Sequence, residues 1–445
     1  MLTMASNLNP VPPNGDLKKY HIAEITLQQY RGLQNIHLPL NEQMNVFIGL
    51  NGAGKSSILD ATAILLSWLV NRIKTPYASG KPILEIEIQN SFDYASLAIL
   101  LENNNGAFSW TLIKTRKGHN PVDRSALAAL NKLTGLIKDH FSANSGKINL
   151  PVFVYYPVNR AVLDIPLRIR EKHLFDVLSA YDNALTGAAN FRTFFEWFRE
   201  REDLENENRR YLHDIPETRP AEFQFPDLQL EAVRRALTRF MPDFKNFTVR
   251  RNPLRMEVEK YGKRLIVNQL SDGEKCLMAL IGDLARRLVI ANPLRDDPLD
   301  GNGVVLIDEI DLHLHPEWQR RLIPGLQHVF PNCQFLVSTH SPHVITHVQP
   351  ESLYLLRMTD NRIVCEQPNE SYGKTVERVL EDLMGLETTR PDEVSQSLDQ
   401  IYQAIDLGEL DAAKQAISEL QAKIGNDPDL TKANVLIKRK ELIGK

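Results

Sequence analysis

The chain has 445 residues, of which 43% are hydrophobic and 24% charged; this ordinary globular composition excludes an intrinsically disordered polymer. The formal net charge of −4 excludes a protein that attracts polyanions as a whole, so a nucleic-acid surface would have to be a local patch. No run comes near the roughly 18 apolar residues of a membrane span, and Met1 to Asp16 has no signal-peptide pattern. Cys276, Cys333 and Cys365 lack metal-ligand spacing, so a cytoplasmic protein with reduced thiols is expected.

After a flexible tail over 1–20, residues His21 to Leu40 alternate apolar and polar like paired strands, and Met44 to Ile48 is a short apolar strand that stops at glycine. Ser56 to Asn71 has helical spacing. Ile83 to Ile88, Ala95 to Leu101 and Phe108 to Lys114 read as strands, Val122 to Phe141 as a helix, and Val152 to Tyr156 as a buried strand. Leu163 to Phe240 is mostly helical, with the charged stretch Arg199 to Arg210 on a solvated face. Strand patterning returns in Phe247 to Val258 and Arg264 to Val267, Gln269 starts a long helix, and Val304 to Ile307 and Phe335 to Ser338 are buried strands. Beyond Leu356, two amphipathic stretches within Ser395 to Leu420 and a third after Pro428 form a helical tail. The expected architecture is α/β, with a head in two parts (21–160 and 246–358), a helical insertion (161–245) and a helical C-terminal region (359–445).

Gly49-Leu-Asn51-Gly52-Ala53-Gly54-Lys55-Ser56, followed by Ser57, fits the G-x-x-x-x-G-K-[ST] phosphate loop and lies between a strand and a helix, as that loop requires. Glycines let backbone N–H groups close on a phosphate at a helix N-terminus. Lys55 is placed to reach the β- and γ-phosphates and Ser56 to ligate Mg²⁺. The strand Val304 to Ile307 delivers Asp308 and Glu309, a pair suited to holding Mg²⁺ through water and to polarising an attacking water.

Leu270-Ser271-Asp272-Gly273-Glu274-Lys275 has the form of a helix start with a capping box from Ser271 to Glu274. It also resembles the signature motif of ATP-binding-cassette proteins. Together with the phosphate loop, the carboxylate pair, LIDEIDLHLHPEWQ, STHSPHVI and the YRG at Tyr30 to Gly32, it resembles the SMC, RecF and OLD-like branch of those ATPases. The resemblance covers roughly His21 to Val348, and the tail after Ser371 resembles that of PtuA, the ATPase subunit of Septu anti-phage systems.

That resemblance implies an ABC-type head that hydrolyses ATP in a homodimer or higher oligomer, with ATP and Mg²⁺ as cofactors. Ser271 and Gly273 of one copy would cap the γ-phosphate held by the other, His340 would sense that phosphate, and Arg31 would lie near the nucleotide. Asp272 departs from the commoner double glycine and implies slow turnover. Asp311, His313 and His315 resemble the dimer-contact loop more than a metal site. Asn159 and Arg160 are the best substitutes for a glutamine loop. The resemblance also implies a separately encoded HNH endonuclease partner that cuts DNA; no nuclease site is legible in this chain, since Asp427-Pro-Asp429 reads as a turn and helix cap. The alternative is a stand-alone RecF- or SMC-like repair ATPase. Basic residues for DNA contact are sought in Lys245, Arg250, Arg251, Arg255, Lys260, Lys263 and Arg264, offset by Glu257 and Glu259, and more weakly in Arg160, Arg168, Arg170 and Lys172.

Overall fold

The computed structural model describes residues 19–103, 106–120, 123–144, 148–158, 176–186, 191–214, 225–359 and 362–443. It divides into two compact units at Lys374 and Thr375. Asn159, Arg160, Arg168, Arg170 and Lys172 lie outside the described residues.

The first unit is built on apolar runs that cannot face water on either side. Strands β1 (His21–Tyr30) and β2 (Leu33–Pro39) form an antiparallel hairpin, and β3 (Met44–Gly49) leads into helix α1 (Lys55–Lys74). Next come β4 (Tyr94–Asn103), β5 (Gly106–Thr115), α2 (Ala128–Ala143) and β6 (Val152–Tyr156), then α3 (Phe191–Asp214) and α4 (Leu228–Phe240). Strands β7 (Phe244–Arg251), β8 (Leu254–Lys260) and β9 (Lys263–Ile266) precede helix α5 (Asp272–Ala291). The unit is completed by β10 (Gly303–Ile307), α6 (Pro316–Val329), β11 (Cys333–Ser338), the single turn α7 (Pro342–Ile345), β12 (Leu353–Thr359) and β13 (Arg362–Glu366).

These strands make three sheets. The central one runs β13-β12-β3-β11-β10-β6, with every neighbouring pair parallel except the β12–β13 hairpin. Strands β6, β10 and β11 are buried along their whole length, as the apolar runs require of a sheet covered on both faces. A four-stranded antiparallel sheet, β2-β1-β4-β5, lies beside it. The buried Gln334 of β11 ties the two together, accepting the Ile22 N–H at 2.7 Å and donating to the Ile22 carbonyl at 2.8 Å. The third sheet is β7-β8-β9.

Four sequence expectations change. Ile83 to Ile88 is not a strand: Glu85–Glu87 forms a 3-10 turn, Leu84 and Ile86 are exposed, and Ile83, Glu87 and Ile88 are buried. Burial there does not follow the period of two that the sequence suggests, because Ile83 and Ile88 turn inward while Leu84 and Ile86 face out. The stretch Arg199 to Arg210 is not simply solvated, because Glu202 and Glu205 are buried and paired with Arg234 of α4, and Glu202 also with Arg251 of β7. The run Phe247 to Val258 is two strands folded back on each other at Asn252 and Pro253. Beyond residue 358 the central sheet continues through β13 before the helices begin.

The second unit holds a short helix α8 (Val376–Arg378) and three longer ones, α9 (Asp392–Leu407), α10 (Leu410–Ile424) and α11 (Pro428–Ile443). Leu398, Ile401, Ile405, Ala413, Ile417, Leu420, Leu430, Ala433 and Ile437 form its core at helical spacing. Asp427 and Asp429 both pair with Arg390, at 2.9 and 2.8 Å, and Asp427 Oδ1 accepts the Asp429 N–H at 2.9 Å, which is the turn-and-cap role expected of them.

Inside the first unit a charged cluster is wholly buried. Asp283 of α5 accepts hydrogen bonds from Arg286 at 2.7 Å, Arg287 at 2.7 Å and the Tyr156 hydroxyl at 2.9 Å. Burial pushes the Asp283 carboxyl up, but the two guanidinium groups outweigh it and bring its pKa down to about 2. We predict that Asp283→Ala, which strands two buried cations, costs about 3–5 kcal/mol in equilibrium denaturation. Because the folded pKa lies below the unfolded value of about 3.9, the Asp283 contribution is complete above about pH 4 and disappears as the pH falls toward 2.

Candidate active site

The parallel strands β3, β11 and β10 end side by side, so the loops after them meet at one edge of the sheet. The loop after β3 is the phosphate-loop sequence. Gly49, Gly52 and Gly54 have φ of 146°, 80° and 95°, values that favour glycine. A Cβ at Gly49 would meet the Leu356 carbonyl oxygen at 2.4 Å, and one at Gly54 would meet Leu33 at 2.7 Å, so these turns are fixed from behind. At Gly52 nothing lies within 4 Å, which leaves that side open to a ligand.

The loop encloses a pocket of about 170 Å³ lined by Asn51, Gly52, Gly54, Lys55, Ser56, Ser57, Glu309 and His340. Lys55 is buried, and its ammonium donates to the carbonyls of Gly49 at 2.9 Å and Leu50 at 3.0 Å. Burial lowers the Lys55 pKa, while the charges of Asp308, Glu309 and Asp311 act to raise it. Gly49 and Ala53 shape the loop without lining the pocket.

Opposite stand the groups that follow β10. Ser338, at the end of β11, donates its hydroxyl hydrogen to Asp308 Oδ1, and its Oγ accepts the Glu309 N–H at 2.8 Å. The neighbouring Thr339 donates to Asp311 at 2.5 Å. The hydroxyls of Ser338 and Thr339, at the end of β11 and just beyond it, therefore hold the carboxylates of Asp308 and Asp311 and the backbone of Glu309. Glu309 has a φ of 47°, unusual for a side-chain-bearing residue and held by this bonding. His340 is half-buried, and burial together with Lys55 lowers its pKa against the opposing pull of Glu309, Asp311 and Asp308. It is therefore neutral at pH 7.

Arg31 sits elsewhere. At the β1–β2 turn, with φ of 51°, it donates to Asp60 of α1 at 2.6 Å and to Glu87 at 2.8 Å, and it is not among the residues lining the pocket. Tyr155 of β6 donates to the same Asp60 at 2.9 Å, and Tyr30 to Glu87 at 3.1 Å. Asp60, Glu87 and Tyr155 went unnoticed in the sequence; only the position of Asp60, on the helix of the phosphate loop, could have drawn attention to it.

Ser271 and Gly273 are also absent from the pocket lining. Ser271 caps α5: its Oγ accepts the Glu274 N–H at 3.4 Å and Glu274 accepts the Ser271 N–H at 3.0 Å, which is the capping box read from sequence. A Cβ at Gly273 would meet the His313 carbonyl oxygen at 2.3 Å, so the signature-like turn packs on the loop from Asp311 to His315. His315 caps α6, accepting the Glu317 N–H at 3.3 Å, while His313 is exposed with a φ of 61°. Asp272 is exposed and paired with Lys275 at 2.8 Å.

The basic residues of the third sheet are largely neutralised. Arg250 and Arg255 converge on Glu257 with Arg264 at 4.0 Å behind them, Arg251 pairs with Glu202 and Asp203, and Lys260 pairs with Glu274.

A phosphate loop, an acidic pair on the neighbouring parallel strand but one, a following histidine and a capped signature turn define a P-loop ATPase of the ABC type. Residues 44–346 fit the family model described as "AAA domain, putative AbiEii toxin, Type IV TA system", and the chain belongs to that family. It is 32% identical over 447 residues to the retron Ec83 probable ATPase of Escherichia coli, covering 89% of this chain and 82% of that protein. To the Septu protein PtuA of Bacillus thuringiensis it is 38% identical over 112 residues, 24% of this chain and 28% of the relative. Among solved structures, an SMC head bound to the C-winged helix domain of ScpA aligns with 78% of this chain and 98% of its own, at 17% identity and a TM-score of 0.46. Among the described residues no helix is long and apolar enough to cross a membrane.

Ser338→Ala removes the one hydroxyl shared by Asp308 and Glu309. The expected result is a fall in kcat of about tenfold, or roughly 1.4 kcal/mol, with a smaller change in ATP affinity measured by nucleotide titration.

Proposed function

We propose that the chain binds ATP with Mg²⁺ and hydrolyses it to ADP and phosphate, as the regulatory subunit of a defence complex whose effector is a separately encoded nuclease. The observation that carries the ATPase part is the convergence of Lys55, Ser56, Glu309 and His340 on one pocket at the ends of parallel strands. The loop N–H groups and the N-terminus of α1 would bind the phosphates. Lys55 would exchange its two loop carbonyls for phosphate oxygens. The hydroxyl of Ser56 and the carboxylate of Asp308 are hard oxygen donors that fit Mg²⁺, which would neutralise charge on the β- and γ-phosphates. Glu309 would accept hydrogen from the attacking water, and neutral His340 would donate to the γ-phosphate.

Two chains are needed for a complete site. Ser271 and Gly273 stand outside the pocket of their own chain, at a capped helix N-terminus of the kind that binds anions, and we assign them to the nucleotide of a second copy. Arg31, paired with Asp60 and Glu87, would act from behind the loop and not as a direct ligand in this state. The defence context is supported by the likeness to a retron ATPase over most of the chain and to PtuA over a shorter part. An HNH endonuclease acting on DNA is the proposed effector, and the helical second unit is its proposed docking region. The neutralised third sheet supports a reading in which DNA is engaged mainly through that partner.

Lys55→Ala should abolish ATP binding, whereas Glu309→Gln should bind ATP and fail to turn it over, as read by filter binding and phosphate release; normal hydrolysis by Glu309→Gln would remove the assigned role. Co-expression with the product of an adjoining nuclease gene should yield a stable complex. If no nuclease co-purifies and DNA alone stimulates hydrolysis, the chain is instead a stand-alone repair ATPase.

A further inference from the structure

Seven basic residues crowd the third sheet, and most of them are matched to acids on that sheet or on α3. Lys260 has a different partner. At the end of β8, its ammonium lies 2.5 Å from Glu274 Oε1, on helix α5. The other oxygen of that carboxylate is the one that accepts the Ser271 N–H at 3.0 Å. A single side chain thus serves at once as half of the capping box and as the anchor of a β-hairpin.

The surroundings make Lys260 rigid enough to act as an anchor. Its ammonium lies 5.2 Å from the centroid of the Phe244 ring and 5.4 Å from that of Tyr261, so the cation is held over aromatic faces as well as by the carboxylate. Phe244 is fully buried, and its ring centroid is 6.5 Å from that of Trp318. Trp318 belongs to α6, the helix that directly follows the Asp311 to His315 loop, and the carbonyl of His313 in that loop abuts Gly273. The third sheet therefore touches the start of α5 through Lys260, and through Phe244 it touches α6, the helix that follows the loop on which the signature turn packs.

We propose that Lys260 is a positioning residue of the signature turn: by fixing Glu274 it sets the direction of Ser271 and of the free N–H groups at the start of α5 toward the nucleotide of a second copy. This rests on the composite-site reading above. Glu274 freed of Lys260 regains its side-chain rotamers, and the cap that depends on it loses a single orientation. The residue touches no nucleotide of its own chain, so its loss should separate binding from assembly.

The test is Lys260→Met, which keeps an unbranched apolar stem over Phe244 and Tyr261 and removes only the charge. In the Glu309→Gln background it should bind a fluorescent ATP analogue within about twofold of the parent at concentrations where the chain is monomeric. Its ATP-dependent self-association, followed by sedimentation velocity, should weaken about tenfold or more, and kcat in the otherwise native chain should fall with it. Lys260→Arg should restore both. Ser271→Arg serves as the control that blocks the signature turn outright. If Lys260→Met associates like the parent while Ser271→Arg does not, the positioning role is wrong and the composite site stands. If Ser271→Arg also associates and hydrolyses normally, the composite site itself is wrong. Equal losses of ATP binding, association and thermal stability in Lys260→Met would reduce Lys260 to a structural brace and overturn the proposal.

Discussion

The structure turns on the environment of Lys55, a buried ammonium held by two carbonyls of its own loop and facing the carboxylates that follow β10. A buried cation without partners is prohibitively costly, and acids gathered without a cation repel one another. Each half of the site therefore makes the other tolerable. The parallel sheet enforces the meeting, because β3, β11 and β10 are adjacent and end at one edge. Strand order places a phosphate-binding turn, a pair of hydroxyls and a pair of acids within one cluster.

Around that cluster the fold uses hydroxyls as latches and buried charge as braces. Ser338 and Thr339 hold Asp308, Glu309 and Asp311. On β6, the adjacent Tyr155 and Tyr156 point to opposite faces of the sheet, as successive strand residues must, one reaching Asp60 of α1 and the other Asp283 of α5. The helix of the phosphate loop and the helix of the signature turn are thus tied to the same strand. A rigid link between these helices is what the proposed site shared between two copies would require, with one helix serving its own nucleotide and the other its neighbour's.

Local chemistry made much of this legible in the sequence. Glycine spacing, a strand ending in two acids and a capping box are each encoded within a few residues, and the structure reproduces the loop at Gly49, the end of β10 and the cap at Ser271. Partners distant along the chain were not legible. Arg31 was visible as a functional arginine, but its pairing with Asp60 and Glu87 spans 29 and 56 residues and has no local trace. The same blindness made Ile83 to Ile88 read as a strand, because Glu87 is buried by its distant partners Tyr30 and Arg31 while Leu84 and Ile86 stay exposed. It also made the third sheet look like a basic surface. Charge was counted correctly there, but the acids that neutralise it lie partly on α3 and α5.

The central claim is that the pocket at Gly49 to Ser57 is half a site, closed by Ser271 and Gly273 of a second copy. The most direct measurement is intermolecular cross-linking between a chain carrying Asn51→Cys and another carrying Ser271→Cys, mixed in a background that lacks Cys365 and carries Glu309→Gln. A disulfide-length linker should join the two variants rapidly when ATP and Mg²⁺ are present, and slowly in their absence. Failure to cross-link with ATP, or equal cross-linking without it, would contradict the account.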